Sequence, residues 1–555
     1  MSTSQWLMQK TQVIAANGII SSKRHLASQA GIEMMQQGGN AVDAAVATAF
    51  AVGVVEPWMS GLGGGGFMVI YLAKTSQAIA IDFNMAAPAA ASPEMYTIEE
   101  GILEGAIPWR KTKNDEDLHG YKAICVPGMV AGLSLALQRF GTMDLLSVLQ
   151  PAIRYAEEGF IVDWFDALQI ALDADLVARF PETAATFFKN GFPRKPAADP
   201  PKVELLCQPV LAMTLRQIAR YGPEVFYRGE SGRKIVASIQ AHGGLITEED
   251  LAGYQVIVSQ PALQTTYRGC QIITAPFPSG GPTLFEVLDL LSGLDLGALG
   301  RGSPASLHLI AEASRIAFAD RYRFMGEAES RVPWQEFLHP ARVAQLRTLI
   351  QLDRASPDLQ QVILKPAGST THLSAIDRDH NMVSLTQTLL SRFGSKVTIP
   401  DTGVLLNNGM FWFDPEPGKA NSIVGGKRPL SNMAPLLILK QGQPWVTVGA
   451  SGGRRIIGAM THITTDLLDF GMDIQQSISA PRIDVSTGNL VVDDRFPEET
   501  IARLQAMGHA VLPVTESIAP RCFSSPCGVM IDREAGTLRS GVDPFQPATA
   551  IGYYR

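Results

Sequence analysis

From Ala41 to Val55 the chain is almost wholly apolar, interrupted by Asp43. A membrane-spanning helix needs about 20 such residues, so this stretch is too short to cross a bilayer. Asn40 stands where an N-cap belongs, and Glu56-Pro57 marks the other end. The Ala-rich part, Ala41–Phe50, has side chains so small that it must pack closely against a neighbour. A preceding helix is expected over Lys23–Gln37, stopped by Gly38-Gly39. The stretch reads as a buried core helix of a soluble, cytoplasmic protein. Met1–Lys10 carries no basic segment leading into an apolar one, so no secretory signal is read there.

An enclosed helix needs a large core, and the composition supplies one. Of 555 residues 46% are hydrophobic and 18% charged, which excludes general disorder. At roughly 100–200 residues per domain this length suggests three or four domains. No linker or charge run divides the first 90 residues from the rest of the chain. The net charge of −7 gives no overall drive toward nucleic acid. The five cysteines, Cys125, Cys207, Cys270, Cys522 and Cys527, are too few and odd in number for a disulfide framework. Cys522 and Cys527 are close enough to pair or share a metal, but no second cysteine pair completes a zinc site. The cysteines read as buried, reduced thiols, and neither metal nor cofactor is expected.

Strands are expected at Phe67–Leu72 and Ala78–Phe83, and residues 128–350 read as mostly helical. Lys365–Thr370 is a loop by composition. Thr371–Asp377 and Met382–Thr388 then form a hairpin across Arg378–Asn381. Further strands are expected at 403–406, 434–440 and 445–449, and a helix over Arg454–Phe470. The tail reads as short strands and turns, and no internal repeat is present.

Most motif tests are negative. Gly61–Gly66 lacks the Lys-Ser/Thr of a phosphate loop, and a strand succeeds it rather than a helix. It reads as a strand entry that needs close backbone approach. There is no Gly-x-Ser-x-Gly elbow and no His-Glu-x-x-His, and no two of the nine histidines are read at ligand spacing. Gly449-Ala-Ser-Gly-Gly453 lies between a strand and a helix, where backbone N–H groups can stabilise an oxyanion. Most such turns are only turns. Ser369-Thr-Thr-His372 remains. A Thr freed at its amino side carries nucleophile and general base together, because an α-amino group has a pKa of about 8. From composition alone, a Thr pair opening a strand is ordinarily structural.

Motifs in order along the chain change that reading. They are Gly38-Gly-Asn-Ala-Val-Asp-Ala-Ala45, Val55-Glu-Pro57, Ser60-Gly-Leu-Gly-Gly-Gly-Gly-Phe67, Val126-Pro-Gly-Met-Val-Ala-Gly132 and Pro278-Ser-Gly-Gly281 in the first part. The second part carries Thr370-Thr-His-Leu-Ser374, Phe393-Gly-Ser395, Leu406-Asn-Asn408, Lys427-Arg-Pro-Leu-Ser431, Gly449-Ala-Ser-Gly-Gly453 and Ala480-Pro-Arg482. With them the chain resembles the γ-glutamyltransferase family of N-terminal-nucleophile hydrolases over roughly residues 12–555. The resemblance implies an α+β, four-layer αββα sandwich and self-cleavage between Ser369 and Thr370. Residues 1–369 then form a large subunit and 370–555 a small one, together one composite domain. Thr370 is implied as the nucleophile, Thr388 as the second threonine that hydrogen-bonds it, and Gly452 and Gly453 as the oxyanion hole. Ser431 and Asn432 stand where the family usually has Ser-Ser near the substrate.

The departures point to the substrate. Asn84-Met85 replaces the family's Arg-Glu, whose Arg grips the glutamate α-carboxylate. Leu390 replaces an Asn, and beyond Asn408 the family's Gln and Asp are Gly409 and Trp412. The clamps for both ends of an amino-acid head are therefore missing, with Met85, Leu390, Phe411 and Trp412 in their place. Arg392 or Arg454 is left as a substitute partner for a carboxylate. These features resemble the family's cephalosporin acylase-like and oxamate amidohydrolase-like branch. The leading expectation is an autoprocessed hydrolase of a small-molecule amide, working through an acyl-enzyme. The implied assembly is an α/β heterodimer from one precursor, with further dimerisation open and no nucleic acid or membrane partner. The alternatives are a true γ-glutamyltransferase or glutathione hydrolase with a rearranged clamp, and a processed but inactive scaffold.

Overall fold

The computed structural model describes residues 8–102, 109–197, 203–326, 334–356, 369–519 and 521–554. Ala41–Val55 is a helix, and every residue in it except Gly53 is buried. Asn40 and Asp43 form a reciprocal capping box at its start. The Asp43 carboxylate also accepts from Thr142 N, Thr142 Oγ1 and Met143 N, so the one charge in the stretch is fully engaged. The helix before it spans His25–Gln36.

Two seven-stranded antiparallel sheets form the centre. The first runs in the order Ile257–Ser259, Gln77–Asp82, Gly65–Leu72, Met382–Leu390, Ser369–Asp377, Gly18–Ser22, Thr549–Tyr553. The second runs Ile14–Ala15, Thr537–Val542, Ser525–Asp532, Gln443–Ser451, Leu436–Lys440, Cys270–Thr274, Leu263–Tyr267. Their facing sides share an apolar core that includes Ile19, Phe67, Val69 and Ile376 from one sheet and Ile273, Leu437, Val529 and Leu538 from the other. The outer side of the first sheet packs on the Ala41–Val55 helix and its neighbours. The outer side of the second packs on the helices Gly281–Leu291, Pro304–Phe324 and Arg455–Leu468. This is the four-layer αββα sandwich that the motifs implied.

Several expectations change in detail. Three strands lie between 257 and 274, inside the region read as helical. Residues 403–406 form no strand, only isolated bridges through Leu405 and Leu406. The tail contains the helices Ile474–Ser479 and Glu498–Ala506. The loop read over 365–370 lies outside the described residues up to 368, while Ser369 and Thr370 already belong to the strand. All five cysteines are free thiols, but Cys207 is exposed and Cys522 half-buried rather than buried. Among the described residues no helix is long and apolar enough to cross a membrane.

Candidate active site

The hairpin Ser369–Asp377 and Met382–Leu390 positions both threonines. Its side chains alternate between layers. Leu373 and Ala375 face the helices, while Ile376 and Met382 face the second sheet. Thr370, Thr388 and Leu390 therefore share the inner face. Thr370 is 2% exposed, and its Oγ1 is buried with no hydrogen-bond partner among the described residues. The pairing shifts register between Ser369 and Thr371, at the expected cleavage point. Thr388 Oγ1 accepts from Leu390 N at 2.7 Å.

The glycine run explains itself here. A Cβ on Gly64 would stand 2.3 Å from Thr388 O, and one on Gly66 2.4 Å from Thr386 O. Only glycines let this strand pass so close to the threonine strand.

Cross-sheet contacts lay the Gln443–Ser451 strand, which leads to Gly452, over the hairpin that carries Thr370. Ser374 pairs with Ser384, whose Oγ donates to Val448 O at 3.0 Å. Gly449 lies against the His372 ring, where a Cβ would be 2.3 Å from Cε1. Two residues further along each strand come Thr370 and Ser451, and Gly452-Gly453 comes next. Gly452 has φ +138° and Gly453 φ +61°, and the helix Arg455–Leu468 begins just after them. A Cβ on Gly452 would meet Ser524 Cα at 2.9 Å. The Ser524 segment is held by Glu516, whose carboxylate accepts from Cys522 N at 2.7 Å and Phe523 N at 2.9 Å. Burial pushes that carboxyl up to about 7.

His372 is not a base for Thr370. Its Nδ1 meets Thr386 Oγ1 at 2.9 Å and its Nε2 meets Ser374 Oγ at 3.0 Å, inside the sandwich. Burial pulls its pKa well below the usual histidine range.

The expected binding residues divide into two groups. Asn84 Nδ2 donates to Pro429 O at 3.2 Å, next to Ser431 and Asn432, and its Oδ1 has no partner among the described residues. Arg321 Nη2 donates to Ser431 O at 2.5 Å. These contacts bring Asn84, Ser431 and Asn432 into one region. Leu390, Phe411 and Trp412 form the other group, packed with Trp109, Leu118 and Tyr322. Gly409 opens the short helix that carries Phe411 and Trp412, and a Cβ there would strike Cys125. Asn408 ties this region to the strand end: its side chain accepts from Ser391 N and donates to Ser391 Oγ and Leu118 O. Arg392 is engaged elsewhere, 2.6 Å from Asp173 and 3.0 Å from Gln169. Arg454 is buried beside the glycine turn.

Sequence reasoning missed Ser524, Trp109 and Tyr322, which no short-range pattern links to Thr370. It also missed that His308 and Glu312, one helical turn apart, meet His509 with ligand atoms within 4.8 Å. That trio could hold a cation, but most of its ligand atoms already have partners; His509 Nδ1 has none among the described residues. His308 Nδ1 meets His509 Nε2 at 2.7 Å, and Glu312 receives Arg315 and Ser356 N.

A family model described as gamma-glutamyltranspeptidase matches residues 27–553. The glutathione hydrolase proenzyme of Escherichia coli is 36% identical over 90% of this chain and 86% of its own length. The acylase ACY 1 proenzyme of Pseudomonas sp. strain SE83 is 38% identical over 91% of this chain and 89% of its own. The crystal structure of the cephalosporin acylase from Bacillus halodurans superposes with a TM-score of 0.88 at 27% identity, covering 100% of this chain and 99% of that one.

Proposed function

Because this chain belongs to the γ-glutamyltranspeptidase family of hydrolase and acylase enzymes, we propose that it is an autoprocessed N-terminal-threonine amide hydrolase whose acyl group lacks an amino-acid head. The observation that carries the reading is the wall beside Thr388. Leu390, Phe411, Trp412 and Trp109 are buried together there as one apolar surface. A buried ammonium without partners is strongly unfavourable, and even a neutral polar group costs roughly 2–7 kcal/mol. A charge-assisted contact contributes about 1.5–3 kcal/mol, so losing the clamp removes most selectivity for γ-glutamyl groups. The engagement of Arg392 with Asp173 supports the same reading.

Thr370 Oγ1 attacks the Ser369 carbonyl carbon, and the Ser369–Thr370 C–N bond breaks to leave an ester and a free amine. Water hydrolyses the ester to a Ser369 carboxylate and the Thr370 hydroxyl. In turnover the same oxygen attacks the substrate carbonyl, and the α-amino group takes its proton and passes it to the leaving amine. Gly452 and Gly453, at the start of the Arg455–Leu468 helix, offer backbone N–H groups to the oxyanion. In the uncut chain Thr370 Oγ1 has no partner among the described residues, so the orienting hydrogen bond to Thr388, on the same face of the hairpin, forms only once the cut frees Thr370. Water, deprotonated by the same amine, then releases the acid.

The two pieces stay together as a heterodimer, since Ser369–Asp377 pairs with Gly18–Ser22 from before the cut and Met382–Leu390 pairs with Gly65–Leu72. A denaturing gel tests the processing. Fragments of about 40 and 20 kDa are expected from the 59.8 kDa chain. One full-length band after prolonged incubation contradicts the reading.

A further inference from the structure

Glu56 is 3% exposed and stands at the C-terminal end of the Ala41–Val55 helix. The turn after it is tied to the open end of the threonine hairpin. Leu389 N donates to Met59 O at 2.9 Å, and Gln387 Nε2 donates to Ser60 Oγ at 2.6 Å. Gln387 pairs across the hairpin with Thr371, the residue after the expected new N-terminus. Thr371 shares a face of its strand with Leu373, which packs toward the same helix layer. The Thr371 hydroxyl is close enough to act on the Glu56 carboxyl.

Two polar atoms lie there without partners. Glu56 Oε2 and Thr371 Oγ1 are buried, and neither has a hydrogen-bond partner among the described residues. The nearby cations are engaged elsewhere. Lys23 Nζ donates to Ser525 O at 2.5 Å and to Ser525 Oγ at 2.6 Å, and Arg24 pairs with Asp166 at 2.8 Å. Arg521 acts on Glu56 more weakly than either. From the second sheet Cys527 also feels Glu56, and burial holds its thiol above the usual range. Burial pushes the Glu56 carboxyl up, against the pull of Thr371, Arg24, Lys23 and Arg521. Buried carboxylates are normally paired.

Self-cleavage supplies a partner. It creates two charges, the Ser369 carboxylate and the Thr370 α-ammonium, and only the second suits Glu56. Thr370 is 2% exposed, and burial alone would pull its amine below the ordinary value of about 8. A carboxylate within reach opposes that fall and keeps the amine a competent base near neutral pH.

We propose that Glu56 is the counter-ion of the α-amino group exposed at Thr370, a positioning residue for the base of this enzyme. This rests on the self-cleavage reading above.

The test is the pH profile of kcat/KM on glutaryl 4-nitroanilide, whose acid limb reports the essential base of the free enzyme. In the processed wild type that limb is expected at or above about pH 7, and a lower one overturns the proposal. Glu56→Gln keeps the shape but not the charge. It should still cut itself into two fragments, and its limb should fall by about one pH unit, the lower end of what one adjacent opposite charge does. Glu56→Asp restores a carboxylate and should bring the limb back toward wild type. A Gln limb within about half a unit of wild type overturns the proposal. So does a Gln variant that is folded by circular dichroism yet stays uncut, because Glu56 would then act before the amine exists. A merely structural role would lower kcat/KM at every pH and leave the limb in place. The wild-type limb decides even where the Gln variant does not fold. Absence of the two fragments in wild type sinks the parent reading instead, so the two ideas fail separately.

Discussion

The two ends of the candidate site are built by different means. At the reacting end, backbone geometry is decisive. Gly64 and Gly66 admit a strand against Thr388 and Thr386, and Gly452-Gly453 turns the Gln443–Ser451 strand into the Arg455–Leu468 helix. At the acyl end, side chains take over that role. Trp109, Tyr322, Leu390 and Trp412 come from separate segments and owe their meeting to tertiary packing. Backbone requirements restrict a position to one or two residue types, so the chemistry is tightly specified. A packed wall tolerates substitution, so the substrate can change while the chemistry stays.

The largest effect should come from breaking the reacting end at its nucleophile. Thr370→Ala removes the attacking oxygen from both self-cleavage and turnover, and both should fall below detection. Thr370→Ser keeps hydroxyl and amine and should retain part of each. Cleavage that persists in the Ala variant assigns the cut to an outside protease. Next comes the backbone itself. Gly452→Ala puts a Cβ 2.9 Å from Ser524 at φ +138°. Loss of one oxyanion donor typically lowers kcat about 100- to 1,000-fold. The expected signature is a fall in kcat of that order with KM within threefold. A kcat within threefold of wild type removes Gly452 from the oxyanion hole.

The same contrast explains what was legible in the sequence. The Ala41–Val55 helix, its Asn40 cap and the Thr370 hairpin arise from local pattern and are present as expected. The strands between 257 and 274 were hidden in a region dominated by helical periodicity. Leu390, Gly409 and Trp412 could be singled out because each departs from a motif. Trp109 and Tyr322 depart from none, and only the packed structure brings them to Leu390. Ser524 lies more than 150 residues beyond Thr370 in the chain, and no spacing rule reaches it. Asn408, read as a substrate contact, has its amide taken up by Ser391 and Leu118.

A smaller effect concerns the segment behind the glycine turn. The Glu516 carboxyl, raised by burial to about 7 from 4.5, favours the folded state most at pH below 4.5. That contribution is lost as pH rises through 7. Glu516→Gln keeps an acceptor for Cys522 N and Phe523 N but cannot titrate. Its Tm relative to wild type should therefore be lowest near pH 5 and climb toward pH 8, by a few degrees at most. A difference that does not vary with pH contradicts the assignment.

The central claim is that the chemistry of this family has been kept while recognition of the amino-acid head has been lost. It is tested most directly by kcat/KM on matched glutaryl and γ-glutamyl 4-nitroanilides, which differ only by the α-amino group. The account predicts at least a tenfold preference for the glutaryl compound. A tenfold preference for the γ-glutamyl compound, equivalent to about 1.4 kcal/mol of recognition by groups argued to be absent, would contradict it.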